Sequence, residues 1–382
     1  MRDAEKLGMD RIKVLHCIHS LSGGGAEKQL RLLVDQSAAH GMDAAIFCVR
    51  DEGRNDIQDV SVPIYRSRRQ NKYNFSIFAS LNFAINNFKP EILHAWLPAS
   101  VTIPAMSVAM IKAIPCVYAY RRVMSFTRPL TGLEFATAVL STSRIVSNNF
   151  IDSSNLAYRL LYKIKSGVQI PNAVSIDGKW LKEMNQESAD AAWSVLFVGR
   201  ITREKNWPCL LRAISLVEPG HQVRLTICGD GDQTERMLAM ARDLNIDRKI
   251  TYLGYRQDVY RIMQSSDMLV LPSWREGMPN VLLEALNIGL PCAISDIPAH
   301  RRLIGTTKAA LMFDPANPQE LARQIDLLSS SPGIGRQLAE RGRRVAQEFT
   351  PERLARAYHE MYSSLINPRA AVTSVDVHKL PE

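Results

Sequence analysis

Short apolar runs alternate along this chain with longer segments whose apolar residues recur at helical spacing. In the first half the runs RIKVLHCI, AAIFCV, EILHAW and IPCVYAY have the length and composition of buried strands. Between them lie segments such as AEKQLRLLVDQSAAHG, apolar at helical intervals and closed by a glycine. This alternation predicts a parallel sheet covered by helices. The rhythm stops in the polar stretch IPNAVSIDGKWLKEMNQESAD, which reads as a linker. It restarts with SVLFVGR, RLTICGD, ITYLG, MLVLPS and PCAISD, each followed by a helix-like segment. The expected fold is therefore α/β, with two Rossmann-like domains facing each other across a cleft. Ligands are expected at the carboxyl ends of their strands.

The division falls near residue 175. Residues 1–175 form the expected N-terminal domain and residues 176–345 the second. Residues 346–366 contain a last amphipathic helix, PERLARAYHEMYSSLI, with Pro351 suited to its first turn. Residues 367–382 lack periodicity and read as a loose tail.

Composition narrows the class. With 382 residues, 46% apolar and 22% charged, the chain has the make-up of a soluble two-domain protein. Its six cysteines are scattered without a CxxC pair, which argues for reduced thiols and against a disulfide framework or zinc site. The N-terminus, MRDAEKLGMD, is charged and has no apolar core of a signal peptide. The apolar stretch from Leu97 to Tyr120 is interrupted by Pro98, Pro104, Lys112 and Pro115, a poor membrane span. A cytoplasmic location is the expectation. Of the net charge of +9, +8 falls in residues 1–175. That imbalance suggests an anionic partner for the first half, for which nucleic acid, phosphate substrates and acidic lipid headgroups all qualify. The densest basic cluster is Arg66, Arg68, Arg69 and Lys72, readable as solvated surface or as contact with an anionic membrane.

Three loops carry candidate chemistry. After the first strand comes HSLSGGGAEKQL, where Gly23, Gly24 and Gly25 allow a tight turn and close approach of the backbone to a ligand. The helix that follows offers free N–H groups to a phosphate or sugar; a plain turn is the alternative. In VLFVGRITREKNW, Arg200 and Lys205 follow a strand end. A guanidinium fork and a compact ammonium can hold a diphosphate without a metal, and surface charge is the alternative. The most informative stretch is LPSWREGMPNVLLEALNIGLP. Pro279 is placed to begin a helix that Gly289 and Pro291 end. Backbone N–H groups from Gly277 to Asn280, including Met278, are positioned to bind phosphate. Glu276 before the helix and Glu284 within it are spaced to grip two sets of hydroxyls.

This last stretch resembles the E-x7-E motif of retaining GT-B glycosyltransferases, and the chain resembles glycosyltransferase family 4 over nearly its whole length. GGGAEKQL is similar to the family's GGAE loop, IPNAV to IPNGV, VGRITREKN to the GR…K loop, ICGDGD to a strand-turn segment, and EGMPNVLLEALNIGLP to the EG…EA…G-P core. Ala173 and Asn206 stand where glycine is usual. Five short matches in order are specific where one is not.

The resemblance implies roles. Arg200 and Lys205 bind the donor diphosphate and stabilise the departing nucleotide. Glu284 binds ribose hydroxyls and Glu276 those of the transferred sugar. Gly277, Met278, Pro279 and Asn280 meet phosphate and sugar, and Tyr255 and Arg256 hold the base largely through the backbone. Gly24 and Gly25 close over the donor, and the last helix crosses back to the N-terminal domain. Many members carry a histidine after the strand matching PCVYAY; here that position holds Arg121, with His94 in EILHAW as an alternative or as a structural residue. Asp230-Gly231-Asp232 is a DxD string, which binds metal in other transferases but reads here as a tight turn.

The implied reaction moves a sugar, with retention, from a nucleoside diphosphate donor to an acceptor hydroxyl, with no metal and no further cofactor. UDP is the first expectation for the nucleotide. The acceptor implied is a polyprenyl-diphosphate-linked or other saccharide of capsule, exopolysaccharide or O-antigen assembly, at the inner face of the plasma membrane. No nucleic-acid partner is expected. A soluble acceptor, an inactive GT-B scaffold and an NAD-dependent oxidoreductase are the rivals, the last lacking its GxGxxG fingerprint.

Overall fold

A computed structural model describes residues 11–22, 24–50, 60–67, 76–120, 129–148, 156–175 and 192–367. The chain divides into two compact units. One comprises Met1–Ala173 together with Pro351–Val377, and the other comprises Val174–Thr350.

Unit 1 opens with β1 (Ile12–Ile18), α1 (Gly25–Ser37), β2 (Met42–Cys48) and β3 (Ile64–Arg66). It continues with α2 (Ser76–Phe88), β4 (Ile92–Trp96), α3 (Ala99–Ile111) and β5 (Cys116–Tyr120). It then runs through α4 (Pro129–Ser141), β6 (Arg144–Ser147), α5 (Leu156–Ile164) and β7 (Val168–Gln169). The strands form one parallel sheet in the order β3-β2-β1-β4-β5-β6-β7. β4 and β5 are buried at every position, because helices cover both faces. Alternate strand residues such as Leu15, Phe47, Leu93 and Tyr118 join the core under α2–α5.

The opposite face is closed by α1 and by a helix from the far end of the chain. Unit 2 precedes that helix in sequence. It runs β8 (Trp193–Val198), α6 (Trp207–Leu216), β9 (Val223–Cys228), α7 (Thr234–Asp243) and β10 (Ile250–Gly254). There follow α8 (Val259–Gln264), β11 (Met268–Leu271), α9 (Asn280–Ile288), β12 (Cys292–Ser295), α10 (Pro298–Ile304) and β13 (Leu311–Phe313). α11 (Pro318–Ser330) and α12 (Pro332–Ala346) complete it. Its parallel sheet has the order β10-β9-β8-β11-β12-β13. α6, α7 and α11 cover one face and α8, α9, α10 and α12 the other.

The returning helix is α13 (Pro351–Ile366), which begins at Pro351. Its buried residues Leu354, Ala355, Tyr358, Met361 and Tyr362 recur at helical spacing and join Val14, Ile92 and Trp96 in the second core of unit 1. All six cysteines are free and buried. Among the described residues no helix is long and apolar enough to cross a membrane.

Candidate functional site

In unit 2 the strand order reverses direction between β8 and β11: the chain moves outward through β9 and β10, then returns to place β11 on the other side of β8. Such a switch point leaves a crevice at the carboxyl ends of the two strands, where open α/β sheets bind ligands. Both charged loops picked out in the sequence start there. β8 leads into Gly199, Arg200 and a short 3-10 turn at Arg203–Lys205, and β11 leads into Pro272, Ser273 and Glu276.

The loops are tied to each other at three levels. The Trp274 N–H donates to the Glu204 carbonyl at 2.9 Å. Asn206 is buried, with φ 49° and ψ 38°, and its side-chain amide donates to the Pro272 carbonyl at 3.0 Å and the Pro315 carbonyl at 2.8 Å. This accounts for the departure from glycine. The left-handed conformation is one that asparagine tolerates best among residues with a side chain, and the amide adds contacts glycine cannot make. Third, Lys205 Nζ lies 2.6 Å from Glu276 Oε1, which also accepts from Ser273 Oγ at 2.7 Å. The sequence suggested separate roles for this lysine and glutamate, and the structure brings them into one ion pair. Burial works to raise the Glu276 carboxyl. The charge and hydrogen bond of Lys205, aided by the Ser273 hydroxyl, outweigh it and hold the group below its ordinary value.

A second strand end supports this pair. Ser295 Oγ donates to the Ser273 carbonyl at 2.6 Å, and His300 Nδ1 lies 2.8 Å from the Ser295 carbonyl. A carbonyl only accepts, so His300 carries its proton on Nδ1. Burial holds the imidazole below its ordinary pKa, against the charge of Glu276. His300 Nε2 is buried and finds no hydrogen-bond partner among the described residues. Neither Ser295 nor His300 was singled out in the sequence, since nothing local marks two polar residues after an apolar strand as neighbours of Glu276.

Glu284 is buried on α9, and the Tyr260 hydroxyl of α8 is hydrogen-bonded to it. Burial and the nearby Glu284 charge push the Tyr260 hydroxyl well above its ordinary value. α9 starts at Asn280 with Pro279 as its N-cap and no side-chain cap, and Gly289 ends it at φ 80°. Gly277 and Met278 lie in the half-buried approach to that first turn.

The β9 turn is built to touch the β8 loop. A Cβ on Gly229 would lie 2.0 Å from the Gly199 carbonyl oxygen, and one on Gly231 2.1 Å from that of Ile201. The two glycines let the turn support the loop that carries Arg200. Asp230 spends both carboxylate oxygens on this frame: the Tyr252 hydroxyl donates to Oδ1 and the Tyr255 N–H donates to Oδ2 at 2.9 Å. That is a turn-fixing role, and the Tyr255 N–H suggested for base contact is directed at Asp230. Arg256 is exposed and paired in bidentate fashion with Asp258, at 2.8 and 2.7 Å.

In unit 1, Gly24 is the extended N-cap of α1, and Gly25 its first residue. Gln29 on that helix clamps the IPNAV segment, donating to the Ala173 carbonyl and accepting from the Ala173 N–H, each at 2.8 Å. His94 is not at a strand end. It sits inside β4, fully buried, with Nδ1 2.7 Å from the Tyr362 hydroxyl and its ring among Trp96, Tyr358 and Tyr362. Its place is in the packing of α13. Arg66 lies at the outer end of β3; Gly23, Arg68, Arg69, Lys72 and Arg121 lie outside the described residues.

Residues 180–345 match the family model for glycosyl transferases group 1. Over 92% of this chain and 99% of the relative, the sequence is 24% identical to the lipopolysaccharide core biosynthesis glycosyltransferase LpsE of Rhizobium meliloti. It is 33% identical to the Escherichia coli UDP-Gal:alpha-D-GlcNAc-diphosphoundecaprenol alpha-1,3-galactosyltransferase, over 28% of this chain and 29% of that one. The chain spans 59% and 46% of the length of two other curated relatives that it matches. Anabaena Alr3699/HepE, solved in complex with UDP-glucose, superposes with a TM-score of 0.77 at 18% identity, over 93% of this chain and 100% of that one. Two parallel-sheet α/β units with these structural neighbours make the fold GT-B, and the residues that match the glycosyl transferases group 1 model lie in unit 2.

Proposed function

We propose that this protein transfers a sugar from a UDP-sugar to a saccharide acceptor carried on a lipid diphosphate, in the assembly of a cell-surface polysaccharide. The observation that carries the reading is the Lys205–Glu276 pair at the β8/β11 switch point, with Arg200 exposed on the same loop. A leaving nucleoside diphosphate gains negative charge as the sugar departs. Cations already fixed in place stabilise that charge without reorganising. Lys205 is held by Glu276, and the loop beneath Arg200 by Gly229, Gly231 and Asn206, so both start from a rigid base. A diphosphate drawn to Lys205 shares the ammonium with Glu276. The Glu276 carboxylate, ionised and otherwise held by Ser273, can then accept from a hydroxyl of the transferred sugar. Glu284, with Tyr260 fixing its carboxylate, is assigned to the ribose hydroxyls.

The opening turn of α9, at Gly277–Asn280, adds backbone donors toward the phosphates. With two cations and these donors to offset the diphosphate, turnover is expected to need no divalent metal. Retention at the anomeric carbon and membership of family 4 follow the E-x7-E resemblance. The named relatives of the lipopolysaccharide and diphosphoundecaprenol type support the surface-polysaccharide acceptor and a site of action on the cytoplasmic side of the membrane.

The deciding experiment is a thermal-shift panel of UDP, GDP, ADP and NAD in EDTA. Ligand at 100 times its dissociation constant adds about 2.7 kcal/mol of stability. UDP is expected to raise the melting temperature, and Arg200→Ala with Lys205→Ala to remove the shift. Stabilisation by NAD alone, or by no nucleotide, would overturn the reading.

A further inference from the structure

His300 lies close to the proposed chemistry without a part in it. Its imidazole is fully buried on α10 and feels the charges of both Glu276 and Lys205. The Nδ1–H donates to the Ser295 carbonyl, while Nε2 is buried with no hydrogen-bond partner among the described residues. An unpaired acceptor in the interior costs stability, and an apolar side chain in the same place carries no such cost. Packing therefore does not account for a histidine here. What an apolar residue cannot supply is the Nδ1–H.

That donor stands at the head of a chain of hydrogen bonds. The backbone pairing of β11 with β12 runs from Leu269 with Cys292 to Leu271 with Ile294. Past it comes Pro272, which has no N–H to give. From there side chains hold the two strand ends together. The Ser295 carbonyl accepts from the Ile297 N–H at 2.9 Å and from His300 at 2.8 Å, which pins the turn that leaves β12. The Ser295 hydroxyl donates across to the Ser273 carbonyl at 2.6 Å. The Ser273 hydroxyl then donates to Glu276 Oε1 at 2.7 Å.

Glu276 is thereby loaded on one side. Lys205 Nζ, at 2.6 Å, also ends on Oε1. Oε2 has no hydrogen-bond partner among the described residues. A carboxylate has acceptor capacity on both oxygens, so Oε2 is the one left to receive a donor.

We infer that His300 is a positioning residue for the transfer: through Ser295 and Ser273 it fixes the Glu276 carboxylate so that Oε2 receives a hydroxyl of the transferred sugar. This deepens the transferase reading and rests on it. A neutral imidazole suits the task, because a cation at His300 would compete with Lys205 for Glu276, and burial keeps the ring neutral.

The test separates the two ring nitrogens. Asparagine places an amide N–H as far along the side chain as Nδ1, and glutamine places one as far as Nε2. The readouts are the UDP thermal shift and the release of UDP from UDP-glucose, UDP-galactose or UDP-N-acetylglucosamine, whichever the wild type cleaves fastest. His300→Ala is expected to lower kcat about ten- to a hundred-fold through a displaced carboxylate. KM should stay within about two-fold and the UDP shift should persist, since donor binding is intact. His300→Asn should recover most of the rate and His300→Gln little of it. Ser295→Ala should lower kcat in the same direction, and it carries the test if the space left by His300→Ala unfolds the protein. In a Glu276→Gln background His300→Ala should add less than about a two-fold further loss, because it acts through that carboxylate.

A wild-type kcat in His300→Ala and Ser295→Ala, with only the melting temperature lowered, overturns the inference and leaves the transferase standing. So does full additivity with Glu276→Gln. Rescue by glutamine in place of asparagine also overturns it, and moves the role to Nε2. No UDP shift and no UDP release in the wild type overturn the transferase reading itself.

Discussion

The two units share one frame and use it differently. Counted from its own first strand, each sheet runs third, second, first, fourth, fifth, sixth, with a switch point between the first and fourth, and unit 1 adds a seventh strand at the far edge. In unit 2 the loops at that point carry the ion pair, the buried amide of Asn206 and two glycines whose close contacts leave no room for a side chain. In unit 1 the corresponding strand, β4, is filled by His94 and Trp96, which anchor α13. The frame fixes where a ligand can reach the sheet. What it binds depends on a few loop residues, so a shared strand order is no evidence of a shared task.

The contrast predicts that the same kind of damage shows up as lost chemistry in one unit and lost stability in the other. The largest effect is expected from Arg200→Ala with Lys205→Ala. Two charge-assisted contacts of roughly 2 kcal/mol each should lower kcat/KM by about a thousand-fold. Steady-state kinetics with UDP-sugar and circular dichroism should show that loss in a folded protein; normal turnover would break the assignment of unit 2. Next is Glu276→Gln, which keeps the shape and removes the charge beside Lys205. A loss of roughly a hundred-fold, mostly in kcat, is expected if the carboxylate works on the transferred sugar. A change confined to KM would move Glu276 to a binding role.

Unit 1 supplies the third prediction, in stability and pH. His16 is fully buried, accepts from Trp96 Nε1 at 3.2 Å, and has its pKa lowered to about 3 by burial. The unfolded histidine takes up a proton near pH 6.5, whereas the folded one stays neutral until about pH 3. Stability from this group is therefore complete above pH 6.5 and is lost as pH falls toward 3, on the order of 1 kcal/mol per pH unit. Urea unfolding of wild type and His16→Asn should show a gap that closes on acidification, and a gap independent of pH would rule the buried neutral imidazole out. Smaller again is Asn206→Gly, which keeps the backbone conformation and removes two hydrogen bonds, costing about 1–2 kcal/mol. The smallest is Tyr362→Phe, about 1 kcal/mol from one buried hydrogen bond, with kcat unchanged. A fall in activity there would mean that unit 1's core is coupled to the chemistry.

The sequence conveyed the parts of this arrangement that depend on near neighbours. Apolar runs became strands because both faces of each sheet are covered, and Pro351 and Gly289 bound their helices as their backbone preferences require. What it could not convey was proximity between distant segments. Lys205 and Glu276 are 71 residues apart, and their loops meet only because β11 returns beside β8. His94 looked like a strand-end residue because a strand's limits are not marked within EILHAW. The outer face of α3 was hidden for another reason. ASVTIPAMSVAMI is apolar all round, so no periodicity separates its buried side from the exposed Met110 and Ile111.

Since α13 completes the core of unit 1, the order of synthesis has a consequence of its own. The first 173 residues leave the ribosome lacking the helix that covers Val14, Ile92 and Trp96. All of unit 2 must be translated before that helix emerges, a delay of roughly ten to thirty-five seconds at ordinary elongation rates. The part made last thus sets the moment at which the part made first can close. Over that interval an apolar sheet face stands open on the nascent chain, and a stop codon placed just before Pro351 should yield a protein whose C-terminal half folds while its N-terminal half aggregates.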